Sequence, residues 1–338
     1  MMRRSMLTLA LLSLVGCTVP TSGPRSGEIP LMSQPTVASL DAGLPEYSPG
    51  PNSTLQGAIT CVGSDSMDPI LQLWSSDFRQ HHPKVMFEIL SKGSGTAPKA
   101  LIAGTSQIGH MSREMNAQEL GQFEAKYGYA PTRVVVAVDA LAVYVNANNP
   151  IRTLTLEQVD AIFSSTRKAG YPDDLATWGE LGLKQEWKTR AIQPYGRDEN
   201  SGTRAFFKEH VLKKGEYKAT VKAVADQFAL VEAPAMDGAG ISYGPVQHSV
   251  RMVRAVPLID FKGEKPMVPT VENILNGKYP LTRFLYIYVN RKPGQPMNPL
   301  VQEFLFSILS RRGQKEVAEF GAIPLPADMA MQNLGKVK

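Results

Sequence analysis

Short apolar runs alternate with amphipathic stretches along most of this chain. The apolar runs predict strands at residues 58–63, 84–90, 133–146, 192–196 and 283–290. The stretches with helical periodicity predict helices at residues 69–82, 97–104, 155–164, 203–215 and 299–321. Strands and helices that alternate in this way are typical of parallel sheets covered by helices. The pattern therefore predicts an α/β fold.

The N-terminal segment has a different pattern and reads MMRRSMLTLALLSLVGC. Arg3 and Arg4 precede an apolar stretch of about ten residues, which is the layout of a secretory signal and is too short to span a bilayer. The end of the segment resembles a bacterial lipobox, in which the cysteine is lipidated and becomes the new N-terminus. We expect residues 1–16 to be a signal peptide and Cys17 to carry the lipid. The alternative is an ordinary signal that is cleaved near Cys17.

Residues 17–57 are predicted to form a tether behind the lipid anchor. Positions 18–57 contain seven prolines among many Ser, Gly and Thr residues, and no apolar period is sustained there. A segment of this composition buries too little apolar surface to fold. We therefore expect a disordered connection to a folded body that begins at residue 58.

Composition narrows the classes of function. The chain has 338 residues, 43% of them hydrophobic and 20% charged, as in a soluble globular protein. Lysine and arginine total 36 against 31 aspartates and glutamates, and no Lys/Arg run exceeds two, which argues against a nucleic-acid partner. The five histidines lack metal-ligand spacing and no G-x-S-x-G elbow occurs, so we predict no metal, no cofactor and no enzymatic activity. Cys61 lies in an apolar run and is expected to be a buried small hydrophobe.

Three stretches share a local design that suits an anion. GSDSMD (63–68), KGSGTAPKA (92–100) and RDENSGTRAF (197–206) each follow a strand-like run and open a helix. In each, Ser, Gly or Thr stands where a helix leaves backbone N–H groups unpaired and where its dipole favours negative charge. Arg197 adds a planar fork of donors that suits a phosphate or a carboxylate. Open α/β sheets bind ligands at the carboxyl ends of their strands, where all three junctions are expected.

Each of these features has a simpler explanation when it is taken alone. Ser and Thr are favoured N-caps of any helix. Arg197 also has two acidic neighbours, Asp198 and Glu199, so a surface salt bridge would account for it. Three junctions of the same design in one chain favour the anion site over three unrelated caps.

Motifs along the body resemble those of the periplasmic phosphate-binding proteins that serve Pst-type ABC importers. The matching motifs cover about residues 58–326 in the order of that family: GSDSM, GSGTAPKAL, IGHMSREM, VAVDALAVYVN, LTLEQVDAIFS, TWGELG, GRDENSGTRAFFKE, YPLTRFLYIYVN and AIPLP. The pair GRxxxSGT and YPLxRxLYIYV is specific, whereas the single Gly-Ser pieces are not. The resemblance implies a two-lobe, type 2 periplasmic binding protein fold, with a ligand cleft between lobes joined by two crossing strands.

The resemblance also implies the limits of the lobes. The two crossings are expected near residues 139–143 and 282–287. Lobe one would then comprise residues 58–142 together with 288–330, and lobe two residues 143–287.

Family roles carry over to individual residues of the predicted cleft. The residues that match phosphate contacts are Ser66, the N–H of Met67, Ser94, Ser112, Arg197, Ser201, Gly202 and Thr203. Arg197 matches the arginine that bridges two phosphate oxygens, and Glu199 is placed to orient it. Arg113, next to Ser112, is a candidate additional contact.

Two departures from the family pattern bear on the site. Many members have an aspartate at the position of Ser112, where it accepts the proton of hydrogen phosphate and so rejects sulfate. Here Asp65, Asp139 and Glu199 are the candidate acceptors, and rejection of sulfate is expected to weaken unless a carboxylate compensates. The stretch KAVADQFALVEA stands where members often have a Gly-Ser pair, and we expect it to alter the packing of lobe two more than the site.

The resemblance implies a receptor that hands inorganic phosphate to the permease of an ABC importer, as a monomer held to a membrane by its lipid. Thr18 after Cys17 favours the outer membrane, with the tether reaching into the periplasm. The alternative is a phosphate-sensing or surface scaffold protein that uses the same fold without transport. A hydrolase of phosphate esters is disfavoured, because neither a metal site nor a nucleophile–base pair is apparent.

Overall fold

The computed structural model describes residues 40–49, 55–248, 250–263 and 265–338, which all belong to one compact unit, Leu31–Lys338. The predicted signal peptide and Cys17 lie outside the described residues, as does most of the predicted tether. Within the described ranges, no helix combines the length and the apolar character needed to cross a membrane.

Residues 40–49, within the predicted tether, are folded. Leu40 and Leu44 are buried in the main hydrophobic core. The Asp41 carboxylate accepts the backbone N–H of Ala327 at 2.8 Å, at the start of the C-terminal helix, where a negative charge is favoured. The expectation of a disordered tether is therefore wrong for residues 40–49, because two leucines and one aspartate hold this stretch to the body.

The strands form one large mixed sheet and one small pair. Their bounds are β1 (Gly57–Gly63), β2 (Val85–Ser91), β3 (Ile108–Met111), β4 (Thr132–Asn146), β5 (Leu154–Thr155), β6 (Gln193–Gly196), β7 (Lys222–Ala223), β8 (Gly240–Pro245), β9 (Val253–Val256), β10 (Leu258–Ile259) and β11 (Thr282–Val289). Across the described residues the large sheet has the order β2-β1-β3-β11-β4-β8-β6-β7, with β9 also paired to β4, and β5 pairs with β10. Parallel pairing, as predicted, joins β1 to β2 and β3, and β6 to β7 and β8. β4 and β11 run antiparallel to their neighbours, so the sheet is mixed rather than parallel.

The long strand β4 changes partner along its length. Up to Ala140 it pairs with β11, and from Leu141 onward it pairs with β8. Every residue from 136 to 146 is buried, which explains why this strand is a nearly continuous apolar run in the sequence. Asp139 is the charged residue in that buried run, and it lies next to the position where the partner changes.

The helices cover the sheet. Their bounds are α1 (Asp68–His81), α2 (Thr96–Ala103), α3 (Ala117–Tyr127), α4 (Leu156–Phe163), α5 (Gly202–His210), α6 (Gln227–Met236), α7 (Val271–Leu275), α8 (Pro299–Leu309), α9 (Arg311–Phe320) and α10 (Ala327–Val337). Sequence-coded caps begin several of them, such as the capping box of Asn116 and Glu119 at α3. Each predicted strand or helix overlaps an element of the structure. The elements that were not predicted are the helices α3, α6, α7 and α10 and the strands β3, β5, β7, β8, β9 and β10.

The long helix predicted at residues 299–321 is instead two helices, α8 and α9. Ser310 separates them with an extended backbone, φ −80° and ψ 167°. Its hydroxyl donates to the Ser307 carbonyl at 2.6 Å and accepts the N–H of Gly313 at 3.3 Å, so it closes one helix and caps the next. The amphipathic period continues across the break, which is why the pattern alone did not reveal it.

Candidate functional site

The first junction follows β1 and leads through a 3-10 turn, Asp65–Met67, into α1. The N–H of Ser64 donates to the His110 carbonyl at 2.9 Å, which brings the end of β1 beside β3. Ser66 is 3% exposed and its hydroxyl remains available to side chains from other elements. The N–H of Met67, predicted as an anion donor, donates to the Ser64 carbonyl at 3.2 Å and so is engaged within the turn.

The second junction contributes to a cluster of three buried hydroxyls, Ser64, Ser94 and Ser112. The Ser94 hydroxyl oxygen accepts the N–H of Ser112 at 3.0 Å and lies 3.3 Å from the Ser112 hydroxyl. The Ser64 hydroxyl donates to the Ser112 hydroxyl at 3.1 Å. The structure therefore brings the predicted Ser94 and Ser112 together and adds Ser64, which was not predicted.

The third junction leads from β6 into α5 and packs directly on that serine cluster. Ser201 is the N-cap of α5, because its hydroxyl accepts the N–H of Arg204 at 3.3 Å. The simpler explanation for this residue, an ordinary helix cap, therefore holds. A Cβ atom at Gly202 would lie 2.1 Å from Ser94 Oγ and 2.5 Å from Ser112 Oγ. Glycine is therefore required where the start of α5 meets the two hydroxyls.

A backbone contact also joins the second and third junctions. The N–H of Gly95 donates to the Asn200 carbonyl at 3.1 Å. Gly93 has φ +102°, in the region that favours glycine, and a Cβ there would lie 2.5 Å from the Asn200 oxygen. The two glycines let the two loops touch through their backbones.

Arg197 is buried and paired with a carboxylate from the first junction. Its side chain is 4% exposed and its Nη1 forms an ion pair with Asp65 Oδ2. Its Nη2 donates to the Ala225 carbonyl at 3.3 Å. Asp198 and Glu199 are exposed, so neither the alternative of a surface salt bridge nor the orienting role expected of Glu199 is realised. Asp65 is the acid that orients Arg197.

A hydrogen-bond network joins the first junction to the third. The hydroxyls of Ser66 and Thr203 lie 3.1 Å apart. Both reach the side-chain oxygen of Gln227, at 3.0 Å from Ser66 and 3.1 Å from Thr203. Thr203 also accepts Arg283 Nη1 at 3.1 Å. Residues from β11, α5, α6 and the first turn therefore meet at one point.

Arg283 is itself held by Asp139, its register partner across β11 and β4. Arg283 Nε donates to Asp139 Oδ2 at 2.8 Å, its Nη2 lies 2.7 Å from the same oxygen, and each side chain is 1% exposed. Asp139 Oδ1 accepts the N–H of Ala140 at 2.7 Å. Both oxygens of Asp139 are thus engaged, whereas Asp65 Oδ1 is buried and has no hydrogen-bond partner among the described residues.

Two arginines and two aspartates balance each other at this point, and the nearby histidines add no charge near neutral pH. Burial lowers the pKa of His248. The cationic Arg283 lowers this pKa further, whereas the carboxylates of Asp139 and Asp65 raise it. Burial also lowers the pKa of His110, beside the first junction, to about 3. Positive charge at the site therefore comes from the arginines.

Arg113, the candidate additional contact, is committed to another partner. Its two terminal nitrogens donate to the two oxygens of Glu119 at 2.7 Å each, and the side chain is 14% exposed. Glu119 also closes the capping box of α3. Arg113 is therefore fixed to the start of α3, at the edge of the second junction.

Three residues of the network were missed by sequence reasoning: Ser64, Gln227 and Arg283. Arg283 stood inside the specific motif YPLTRFLYIYV and could have been found from that motif. Gln227 lies in the stretch expected to affect packing more than the site, and this expectation is wrong, because its side chain contacts Ser66 and Thr203.

A groove of about 410 Å³ opens beside this network, lined by residues that include Asp65, Lys92, Gln227 and Phe228. Its lining combines acidic, basic and apolar side chains. No group of three or more His, Cys, Asp or Glu side chains in the described part of the chain could hold a metal ion.

Comparison with known proteins places the chain among binding proteins. A family model described as a PBP superfamily domain matches residues 48–312. The phosphate-binding protein PstS of Pseudomonas aeruginosa is 43% identical over 294 residues, covering 87% of this chain and 90% of the relative. A phosphate ABC transporter substrate-binding protein from Clostridium perfringens, solved with bound phosphate, has TM-score 0.65 and 26% identity and covers 80% of this chain and 100% of its own. An ABC-type phosphate transport receptor from Vibrio cholerae, 22% identical, shares the fold with TM-score 0.62 over 79% of this chain and 100% of its own.

Proposed function

The chain belongs to the PBP superfamily and, within it, to the family of phosphate-binding proteins PstS, and from this premise we propose that it binds inorganic phosphate at the three junctions and delivers it to an ABC importer. The observation that carries the proposal is the meeting of buried Arg197 and Thr203 with the first junction. Binding and release of phosphate need no covalent step, and the proposed role is that of a receptor rather than an enzyme.

The proposed anion contacts come from a fork of donors, several hydroxyls and a helix start. Arg197 would supply charge-assisted hydrogen bonds. The hydroxyls of Ser66, Ser94, Ser112 and Thr203, which contact one another or neighbouring side chains, would donate to phosphate oxygens instead. Backbone N–H groups at the start of α5, at Gly202 and Thr203, would donate to the anion, whose negative charge the helix dipole favours. Ser201 and Met67 would support the site indirectly, because Ser201 caps α5 and the N–H of Met67 closes the 3-10 turn of the first junction.

Selection of phosphate over sulfate is assigned to Asp65. Of the three candidate acceptors, Glu199 is exposed and Asp139 has both oxygens engaged. Asp65 Oδ1 is buried and has no hydrogen-bond partner within the described ranges, while Oδ2 holds Arg197. A carboxylate accepts the proton of hydrogen phosphate, and it repels sulfate, which has no proton to donate. Asp65 would thus compensate for the serine at position 112.

Closure of two lobes is the proposed route to a water-excluded site. The proposed lobes are residues 58–142 with 288–330, and residues 143–287. The change of partner in β4 between Ala140 and Leu141 supports a boundary at this point. The contacts of Asp65 with Arg197 and of Ser66 with Thr203 both join one proposed lobe to the other, so closure would assemble the site.

The receptor is proposed to work in the periplasm as a lipid-anchored monomer. The support is the signal-like segment at 1–16 and the lipobox-like ending at Cys17, with Thr18 favouring the outer membrane. Mass spectrometry of the mature N-terminal peptide tests this, because an unmodified Cys17 would exclude the anchor. The importer's permease is the proposed protein partner.

Calorimetric titration of the purified mature protein, stripped of bound anion, tests the function. We expect one phosphate per chain, with no displacement by sulfate at about hundredfold excess, which corresponds to at least about 2.7 kcal/mol of discrimination. Absence of phosphate binding would refute the receptor. Phosphate binding that sulfate displaces would keep the receptor and refute the role assigned to Asp65.

A further inference from the structure

Gln227 occupies a central position for a residue outside the three junctions. It is the first residue of α6 and is 2% exposed. Its carboxamide lies 3.0 Å from the Ser66 hydroxyl and 3.1 Å from the Thr203 hydroxyl, which are themselves 3.1 Å apart. Three polar atoms from three elements therefore form a triangle, and two of them are proposed anion donors.

Proton counting shows what the orientation of this carboxamide decides. With Oε1 toward the hydroxyls, Ser66 and Thr203 donate their protons to Gln227 and have none left for an anion. In that orientation Nε2, which carries two N–H donors, is buried without a hydrogen-bond partner among the described residues. Burying an amide NH2 group with both donors unsatisfied is costly.

A half-turn about the Cγ–Cδ bond exchanges oxygen and nitrogen without changing the shape of the side chain. Nε2 then points one N–H at each hydroxyl, so both of its donors are satisfied. The polar group left without a partner is then the carbonyl oxygen Oε1, which is one acceptor instead of two donors. Thr203 already accepts Arg283 Nη1 at 3.1 Å, so a second hydrogen bond from Gln227 fills both of its lone pairs. Its proton can then point at an anion, which accepts it more strongly than the neutral Ser66 hydroxyl 3.1 Å away.

We propose that Gln227 donates to Ser66 and Thr203 and thereby makes both hydroxyls donors toward the bound anion. Gln227 is a positioning residue in this role, since it acts through the two hydroxyls. Arg283 contributes in the same way at Thr203, and its pairing with Asp139 fixes it in place. The inference rests on the proposed function, because the ligand it serves is the phosphate at the junctions.

The direction of the effect in a Gln227→Met variant tests the proposal. Met has nearly the same length and no hydrogen-bonding group of comparable strength. If Gln227 donates, its loss frees a lone pair on each hydroxyl, so that one of them can donate to the other instead of to the anion, and phosphate binding weakens about tenfold. If Gln227 accepts, its loss releases both protons, so binding that is unchanged or tighter would overturn the proposal. Inorganic phosphate is the probe, and calorimetry reports the dissociation constant.

A Gln227→Glu variant supplies a second readout, which is the pH dependence of phosphate binding. The carboxylate accepts both hydroxyl protons and adds negative charge, so we expect phosphate to bind at least a further tenfold more weakly than in the Met variant. Protonation returns one donor to this side chain. The ratio of its dissociation constant to that of the wild type should therefore fall as the pH decreases from about 8 to about 5. A constant ratio would contradict the donor role, even if the Met variant failed to fold.

Two controls separate the possible failures. Gln193→Met is the matched variant, because the Gln193 amide donates to the backbone carbonyls of Pro194 and Thr220 and contacts none of the junctions. We expect it to bind phosphate as the wild type does. A wild-type protein that binds no phosphate would refute the proposed function, whereas a binding wild type with an unaffected Met variant would refute this inference alone.

Discussion

Replacing Gly202 with alanine should weaken phosphate binding strongly while the overall fold is retained. The added Cβ would lie 2.1 Å from Ser94 Oγ and 2.5 Å from Ser112 Oγ. Because unstrained contacts of carbon fall at about 3.5–4.0 Å, the start of α5 must move away from the serine cluster by more than about 1 Å. Neither hydroxyl can avoid the clash easily, since Ser94 and Ser112 hydrogen-bond to each other.

The expected loss follows from the contacts that this movement stretches. Ser66 and Thr203 lie 3.1 Å apart across the same boundary, and Asp65 pairs with Arg197 there. A hydrogen bond to a charged ligand contributes about 1.5–3 kcal/mol, so the loss of one or two such bonds to phosphate amounts to about 3 kcal/mol. The dissociation constant for phosphate should therefore increase about hundredfold. The fold should remain, because alanine is a better helix former than glycine.

Calorimetry with phosphate and thermal melting without it measure the two effects separately. Gly121→Ala is the matched control, since it makes the same substitution within helix α3, where a Cβ meets nothing within 4 Å. That control should bind phosphate normally and melt slightly higher. Phosphate binding by the Gly202→Ala variant within about threefold of the wild type, which is about 0.7 kcal/mol, would refute the steric argument.

The remaining predictions concern stability. Asp139→Ala should destabilise the protein by about 3–5 kcal/mol in urea denaturation, because it leaves Arg283 buried without its counter-charge. The exposed pair of Lys208 and Glu216 is the control: Glu216→Ala should leave the urea midpoint nearly unchanged, and equal losses in the two variants would contradict the reasoning. His110 has a folded-state pKa of about 3, below its unfolded value, so its contribution is constant above about pH 6.5. As the pH falls from there toward about 3, the unfolded state alone binds the proton, and about 1.4 kcal/mol of stability is lost per pH unit. A His110→Gln variant should lose less stability than the wild type between about pH 7.5 and about pH 5, and identical pH profiles would exclude His110 as a source.

Local features of the chain determined much of this protein. Apolar periodicity located β1, β2, β4, β6 and β11, because a strand buried on one or both faces must be apolar along its length. Small polar residues at three strand ends marked the helix starts, since unpaired N–H groups require them. Ser94 could be singled out for the same reason, and Arg197 for its fork of donors beside one of these starts, whereas Ser112 was found only through the family resemblance.

Tertiary structure decided which groups act together. Arg197 is paired with Asp65, 132 positions away, rather than with its exposed neighbours Asp198 and Glu199. Gln227 reaches Ser66 across 161 positions, so no local pattern could assign it to the site.

The partner change in β4 and the break at Ser310 likewise depend on packing and capping that the apolar period does not encode. Periodicity reports which face of an element is buried. The partner of each buried polar group is decided only when distant segments are brought into contact, because an unpaired group inside the protein is too costly to leave.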